Sequence, residues 1–270
     1  MTRVRSMFLL VTTFLLAAGG LAAAQPSPGT AVQKEALDVD LSSHEVSIQT
    51  DFSGIKVVVF GAVNNSRQPS AASGFYDVAV VLRGPEQAII ARRKDRIAGL
   101  WVNADSMAFQ DVPSFYAVLS TRPLNEIADE AALLRYGIGF ESLALVPRYS
   151  PRPHTKAEYD AFRQAVIEIK KREKLYREAP FSVGFIGTSL FRSTIDLPSN
   201  VPVGDYTADV FLFREGKLLS AAQSSITIGK GGIGQFVHQG AFKWPLLYGF
   251  SAVLMAFVFG LAASAIFRKG

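Results

Sequence analysis

The stretch Ile55-Lys56-Val57-Val58-Val59-Phe60-Gly61 sets the reading of this chain. β-Branched and aromatic side chains fit a pleated surface and lose rotamer freedom in a helix, so the run favours extended backbone. A run of β-branched residues ending at Gly61 predicts a strand covered on both faces. Upstream, Leu37, Val39 and Leu41 alternate with Asp38, Asp40 and Ser42, and Val46 and Ile48 resume the pattern after a Ser-Ser-His turn. That period of two predicts strands with one buried and one wet face. Downstream, 64–74 reads as a loop rich in Asn, Ser and Ala, and a further strand is predicted over 76–82, closed by Gly84-Pro85. Short strands over 88–91, 97–102 and 115–119 follow. No crossover helix intervenes, so the expected fold is mainly β, an antiparallel immunoglobulin-like sandwich.

A two-helix insertion is expected over 121–180. Thr121 and Pro123 start the first helix, Leu124, Ile127, Ala131 and Leu134 share a face, and Gly137 is the stop. A Pro-rich loop with Pro147, Pro151 and Pro153 separates it from the second. There Thr155 and Glu158 form a capping box, and Tyr159, Phe162, Val166 and Ile169 recur at helical spacing. Pairs Glu168 with Arg172 and Glu173 with Arg177 are expected to support this helix, and Pro180 to end it. A second strand group occupies 181–228. Phe191, Ser193, Ile195 and Leu197 alternate there, and Arg214-Glu215-Gly216-Lys217 makes a tight turn. Whether the two strand groups build one sandwich or two is open at this level.

The two ends of the chain have a different character. Arg3 and Arg5, an apolar run over 7–16 and Ala22-Ala23-Ala24 have the order of a secretory signal peptide, 1–24, or of an uncleaved signal anchor. Residues 244–267 carry no charge and precede Arg268 and Lys269. As a helix they would measure roughly 36 Å, enough for a ~30 Å hydrocarbon layer, so a single transmembrane helix is expected. Export at the N-terminus and cations at the C-terminus give an orientation: bulk of the chain in the periplasm, 268–270 in the cytoplasm, a bacterial inner-membrane protein of single pass. Gly229, Gly231, Gly232, Gly234 and Gly240 make 229–243 a flexible tether. The extracytoplasmic units are then 25–120, 121–180 and 181–228.

Charge and cysteine content remove several function classes. The formal net charge is +5, but without Arg3, Arg5, Arg268 and Lys269 the remainder holds 24 basic against 23 acidic residues. The basic balance thus belongs to topology, and no nucleic-acid partner is expected. With no cysteine, disulfides, thiolate metal sites and cysteine nucleophiles are excluded. His44, His154 and His238 are not spaced for a metal, and neither a nucleophile elbow nor a Gly-rich phosphate loop occurs. No metal, cofactor or catalytic residue is assigned.

Two features remain. Arg92, Arg93, Lys94 and Arg96, close to Trp101, place four cations in five residues. They suit an anionic ligand such as an oxyanion, an acidic partner surface, or a charged turn in solvent. Ala252, Ala256, Gly260 and Ser264 recur every four residues of the apolar helix. Such a stripe lets two membrane helices approach closely, giving a homodimer or a membrane-protein partner, although Ala and Gly are common in such helices anyway.

With these residues in view the chain resembles a family of alphaproteobacterial transmembrane proteins to which no activity is assigned. The resemblance is carried by Phe60-Gly61-Ala62, Tyr76-Asp77-Val78, Gly84-Pro85, Ala98-Gly99-Leu100-Trp101-Val102-Asn103, Pro113-Ser114-Phe115-Tyr116-Ala117, Leu190-Phe191-Arg192 and Val201-Pro202-Val203-Gly204-Asp205-Tyr206. It implies a signal peptide, a periplasmic domain and one C-terminal membrane helix, and no catalytic residue carries over. Members lie near genes for sulfite-exporter-like permeases, which implies a transporter of small sulfur oxyanions as partner. The functional expectation is a non-enzymatic, membrane-anchored accessory protein contacting the lipid bilayer and a membrane partner. The alternatives are an anionic-ligand-binding module and an enzyme of unrecognised type.

Overall fold

The central run is strand β3 (Gly54–Asn64), and it differs from expectation in one respect. Val57, Val59 and Val63 are buried while Lys56 and Phe60 point outward, so β3 is covered on one face. Gly61 does not end it. A Cβ there would lie 2.5 Å from the Asp38 carbonyl oxygen and 2.6 Å from the Phe191 ring, so glycine is where the ring crosses the strand. The strand covered on both faces is the next one, β4 (Asp77–Arg83), where Val78, Ala79, Val80, Val81 and Leu82 are each at most 1 % exposed. β4 lies inside the larger sheet, and that position decides its burial.

The computed structural model describes residues 34–48, 53–148, 154–231 and 244–267. The expected signal peptide, the glycines beyond Gly231, His238, Pro151, Pro153 and the cytoplasmic tail lie outside the described residues. Around β3 and β4 stand β1 (Ala36–Leu41), β2 (Glu45–Ile48), β5 (Glu86–Ile97), β6 (Leu100–Pro113), β7 (Tyr116–Ser120), β8 (Val146–Pro147), β9 (Tyr176–Ala179), β10 (Val183–Ile186), β11 (Leu190–Pro198), β12 (Gly204–Arg214) and β13 (Lys217–Lys230). One sheet runs β1-β3-β11-β10 and the larger β2-β13-β12-β4-β7-β9. Each sheet combines strands from both halves of the sequence, so the two strand groups build one sandwich. Val57, Val59, Phe191 and Ile195 of one sheet share a core with Val80, Tyr206, Val210 and Leu212 of the other. Each such side chain, fully buried, contributes about 1.5–3 kcal/mol.

This order is that of an immunoglobulin sandwich, with the first strand split between sheets: β1 pairs antiparallel with β3, and β2 pairs parallel with β13. Tyr206 near the start of β12 donates its hydroxyl to the Pro202 carbonyl oxygen at 2.6 Å, the tyrosine corner of that fold. The Val201–Tyr206 segment thus serves to pin a turn to a strand.

The helical insertion is more broken than its pattern suggests. In place of one first helix there are α1 (Leu124–Ile127) and α2 (Glu130–Tyr136). Extended backbone at Ala128 and Asp129 interrupts them, and the Asp129 carboxylate accepts from the Ala132 N–H, capping α2. Gly137 closes it in the left-handed region as expected. α3 (Lys156–Arg172) starts on the full Thr155–Glu158 capping box. It ends well before Pro180, because Lys174 turns at φ +60° and β9 begins. Both expected helical ion pairs are replaced: Lys171 Nζ meets Glu168 at 3.0 Å, and Arg177, now on β9, meets Asp196 at 3.1 Å. Ile169 is exposed, and Phe162, Val166 and Ile167 form the buried face.

After β13 comes α4 (Pro245–Phe267), helical over 23 residues, with every described side chain exposed. Among the described residues no helix is long and apolar enough to cross a membrane. A helix stands where the span was expected; a crossing is not shown.

Candidate functional site

The expected strand over 97–102 is interrupted at its second residue. Ala98 (φ +51°) and Gly99 (φ +85°) form a two-residue turn with Ile97 paired to Leu100, so β5 and β6 make one long hairpin. The cations lie on β5 just before that turn, not in it. Every residue of 92–104 is exposed, and this ribbon forms an arm between β4 and β7 that reaches about 23 Å beyond Ala91 at ~3.3 Å per residue.

A second, smaller core holds the arm's root. Met107, Phe109 and Val112 of β6 pack with Leu145 and with Phe162 and Val166 of α3. The Tyr159 hydroxyl donates to the Leu145 carbonyl oxygen at 2.8 Å, and β8 adds a short third strand beside Phe109. Asp105, buried at the root, faces Arg93 Nη2 at 3.5 Å and His154 Nε2 at 3.3 Å. This cluster brings together residues 12, 49 and 61 positions apart in sequence, and no local pattern marks it.

Arg93 is therefore tied back into the root. Alternation along β5 puts Arg92, Lys94 and Arg96 together on the opposite face, and among the described residues none of these three forms an ion pair. Arg96 stands across from Trp101, Lys94 across from Asn103 and Arg92 across from Ser106. At the tip, Leu100 is 71 %, Trp101 70 % and Ile97 57 % exposed. Ile97 and Leu100 share one face and Trp101 occupies the other, so the apolar end is two-sided.

The described cavities lie elsewhere. One of about 670 Å³ opens between α1, α2, α3 and the β7–β9 edge, with Leu133, Phe140 and Ile167 in its wall beside Lys171 and Glu178. Several of its polar groups are engaged within the fold. Glu178 accepts from the Phe140 N–H at 2.7 Å, while the Ser120 and Ser142 hydroxyls donate to the carbonyls of Arg122 and Gly139, each at 2.6 Å. Lys171 stands 4.7 Å from the centre of the Phe140 ring. A second groove of about 760 Å³ carries Lys56, Lys174 and Arg177 against Asp196. Among the described residues no group of three His, Asp or Glu converges for a metal ion.

Ionised groups inside the sandwich act as fasteners. Buried Asp77 receives Arg122 Nε at 2.8 Å and Nη2 at 2.5 Å, with the Thr121 hydroxyl at 3.0 Å. The Asp77 hydrogen bonds hold the Arg122 guanidinium more firmly protonated. Glu35 accepts from Arg214 at 2.8 Å. Its own backbone N–H, then Arg67 and Arg214, hold its carboxyl below the usual range against the opposing effect of burial. Arg83 bridges Asp209 and the Gly137 carbonyl, locking α2 to the large sheet. Burial pushes the Tyr116 and Tyr206 hydroxyls up to about 12.

On α4, Ala252, Ala256, Gly260 and Ser264 recur on one slowly drifting face, and no atom lies within 4 Å of the position a Gly260 Cβ would take. Among the described residues nothing packs on the stripe.

Fold and site together define a class: an immunoglobulin-like sandwich bearing a cationic hairpin arm and followed by an apolar helix. The chain belongs to the family described as "Putative transmembrane protein", alphaproteobacterial by name, which it matches over residues 36–269. No curated protein matches it.

Proposed function

We propose that this protein is a non-enzymatic accessory protein of a bacterial inner membrane, anchored by α4, with the sandwich in the periplasm and its partner in the same membrane. The observation that carries this reading is α4 itself: large apolar side chains such as Leu246, Phe250, Val253 and Phe257 all face outward with nothing of the described chain over them. Exposed apolar surface on that scale needs lipid or another helix to cover it. A transporter of small oxyanions is the partner class to test first. The arm supports a contact role over capture of a small anion, because cations on an open ribbon have no walls to enclose a ligand.

The deciding experiment is extraction of cell membranes with alkaline carbonate, using the full-length chain with a reporter fused after Gly270. The protein is expected to stay with the membranes and the reporter to behave as cytoplasmic. Release into the supernatant, or a periplasmic reporter, would overturn the proposal.

A further inference from the structure

The arm and the exit toward α4 leave the sandwich at the same end. β4 reaches Arg83 beside Thr207 of β12, and Thr207 stands beside Ser225 of β13. From that row β13 runs on through Ile228, opposite Gly204, to Lys230. Pro85, which leads into the arm, packs so tightly on Gly204 that a Cβ there would lie 2.7 Å from its ring. Between the described end of the sandwich and the start of α4 lie the 12 residues 232–243, a chain that spans at most about 40 Å. The arm therefore springs from the end of the domain at which the chain leaves toward α4.

We propose that the tip of the β5–β6 arm enters the headgroup layer of an anionic phospholipid surface, giving the domain a second membrane contact. This rests on the reading of α4 as an anchor. Ile97, Leu100 and Trp101 are large apolar side chains that folding leaves in water. They lie on both faces of the ribbon, which suits immersion end-on, where lipid surrounds the tip; a protein groove would cover one face. Indole prefers the boundary between hydrocarbon and headgroups. Behind the tip the cations of Arg96, Lys94 and Arg92 follow at intervals of two residues, or about 7 Å per step. The headgroup region of one leaflet is of similar depth, roughly 5–8 Å. With Trp101 at the hydrocarbon boundary, Arg96 beside it and Lys94 one step behind fall among the phosphates, and Arg92 stands just outside them, within reach of the negative surface potential. The two-residue turn also suits this setting, because paired strands reach almost to the end of the ribbon and few backbone groups enter unpaired.

The test uses the two tryptophans of the chain, Trp101 and Trp244. Full-length Trp244→Phe leaves Trp101 as sole reporter, reconstituted into vesicles of phosphatidylcholine alone or mixed with phosphatidylglycerol. Phospholipid with brominated acyl chains is the membrane quencher and acrylamide the aqueous one. The expected result is a blue-shifted Trp101 emission, quenched by brominated lipid when phosphatidylglycerol is present and weakly without it. Arg92→Gln, Lys94→Gln and Arg96→Gln should each weaken the contact about fivefold. Trp101 open to acrylamide and untouched by brominated lipid in both vesicles would overturn the inference, as would shielding that appears with an added membrane protein alone. Trp101→Phe keeps Trp244 as reporter of α4. If Trp244 is quenched by lipid while Trp101 is not, the arm inference fails and the anchor stands; if neither is quenched, the anchor reading fails as well.

Discussion

β4 and β5 are consecutive strands separated by Gly84 and Pro85, and they meet opposite environments. The interior residues of β4 are at most 1 % exposed, whereas all of β5 beyond Ala91 is exposed. Both strands are paired on each residue that matters to the ladder, so hydrogen bonding does not separate them. What differs is the second layer. β4 has the opposing sheet on one side and α2 with its neighbours on the other, and its sequence is constrained by volume. β5 loses its cover beyond Ala91, and from there, Arg93 with its link to Asp105 apart, its side chains are left exposed by the described residues. Ile97, Leu100 and Trp101 at such a place gain no burial from the described fold.

The sharpest way to break this contrast is Leu82→Ala. The side chain is 1 % exposed within the main core, and its removal should cost about 3–4 kcal/mol in denaturant unfolding, cavity included. A loss below about 1 kcal/mol would mean that the sandwich is looser than its burial indicates. A smaller effect belongs to the tyrosine corner. Tyr206→Phe deletes the bond to the Pro202 carbonyl and should cost about 1 kcal/mol. It should also change the alkaline limb of stability. The Tyr206 hydroxyl is raised from 10.0 to about 12 by burial, so the unfolded chain gives up that proton first. Its contribution is whole below pH 10 and lost as pH rises toward 12, and stability should fall across that window with a shallower slope in Tyr206→Phe. Tyr116 titrates in the same direction and should keep part of the slope. The smallest effect is expected at the arm: Ile97→Ser, Leu100→Ser and Trp101→Ser together should change stability by less than about 0.5 kcal/mol. A large loss there would show that the tip packs on its own chain and would erase the distinction.

Much of the sandwich is legible in the sequence because alternation reports one-sided burial directly. Leu37 with Leu41, and Phe191 with Ile195 and Leu197, are examples. Alternation says nothing of which sheet a strand joins, so the order of strands and the merging of both groups into one sandwich were not readable. The Val-rich run at 55–60 predicts two covered faces but has one, since a run of β-branched residues looks alike in either place, and β4 is covered on both. Asp129 is a capping residue whose signature competes with an apolar spacing that continues across it. The arm was harder: Ala98-Gly99 is a poor turn signal compared with Asn-Gly, so strand and turn merged. The division of the four cations, three on one face and Arg93 tied to the Asp105 that also meets His154, depends on contacts between distant segments.

One feature near the exit of the sandwich has a mechanical side. β2 pairs in parallel with the last residues of β13, from Thr227 beside Glu45 to Lys230 beside Ile48, and the Gly231 N–H still reaches the Ile48 carbonyl at 2.8 Å. Any pull arriving through 232–243 runs along β13, across the direction of those bonds and of the antiparallel ladder to β12 on its other side. Bonds loaded this way share the force and must yield together, whereas a hairpin pulled open at its end gives way one pair at a time. The joint closest to the helix is therefore built in shear, with the load spread over two neighbouring strands before it reaches the core.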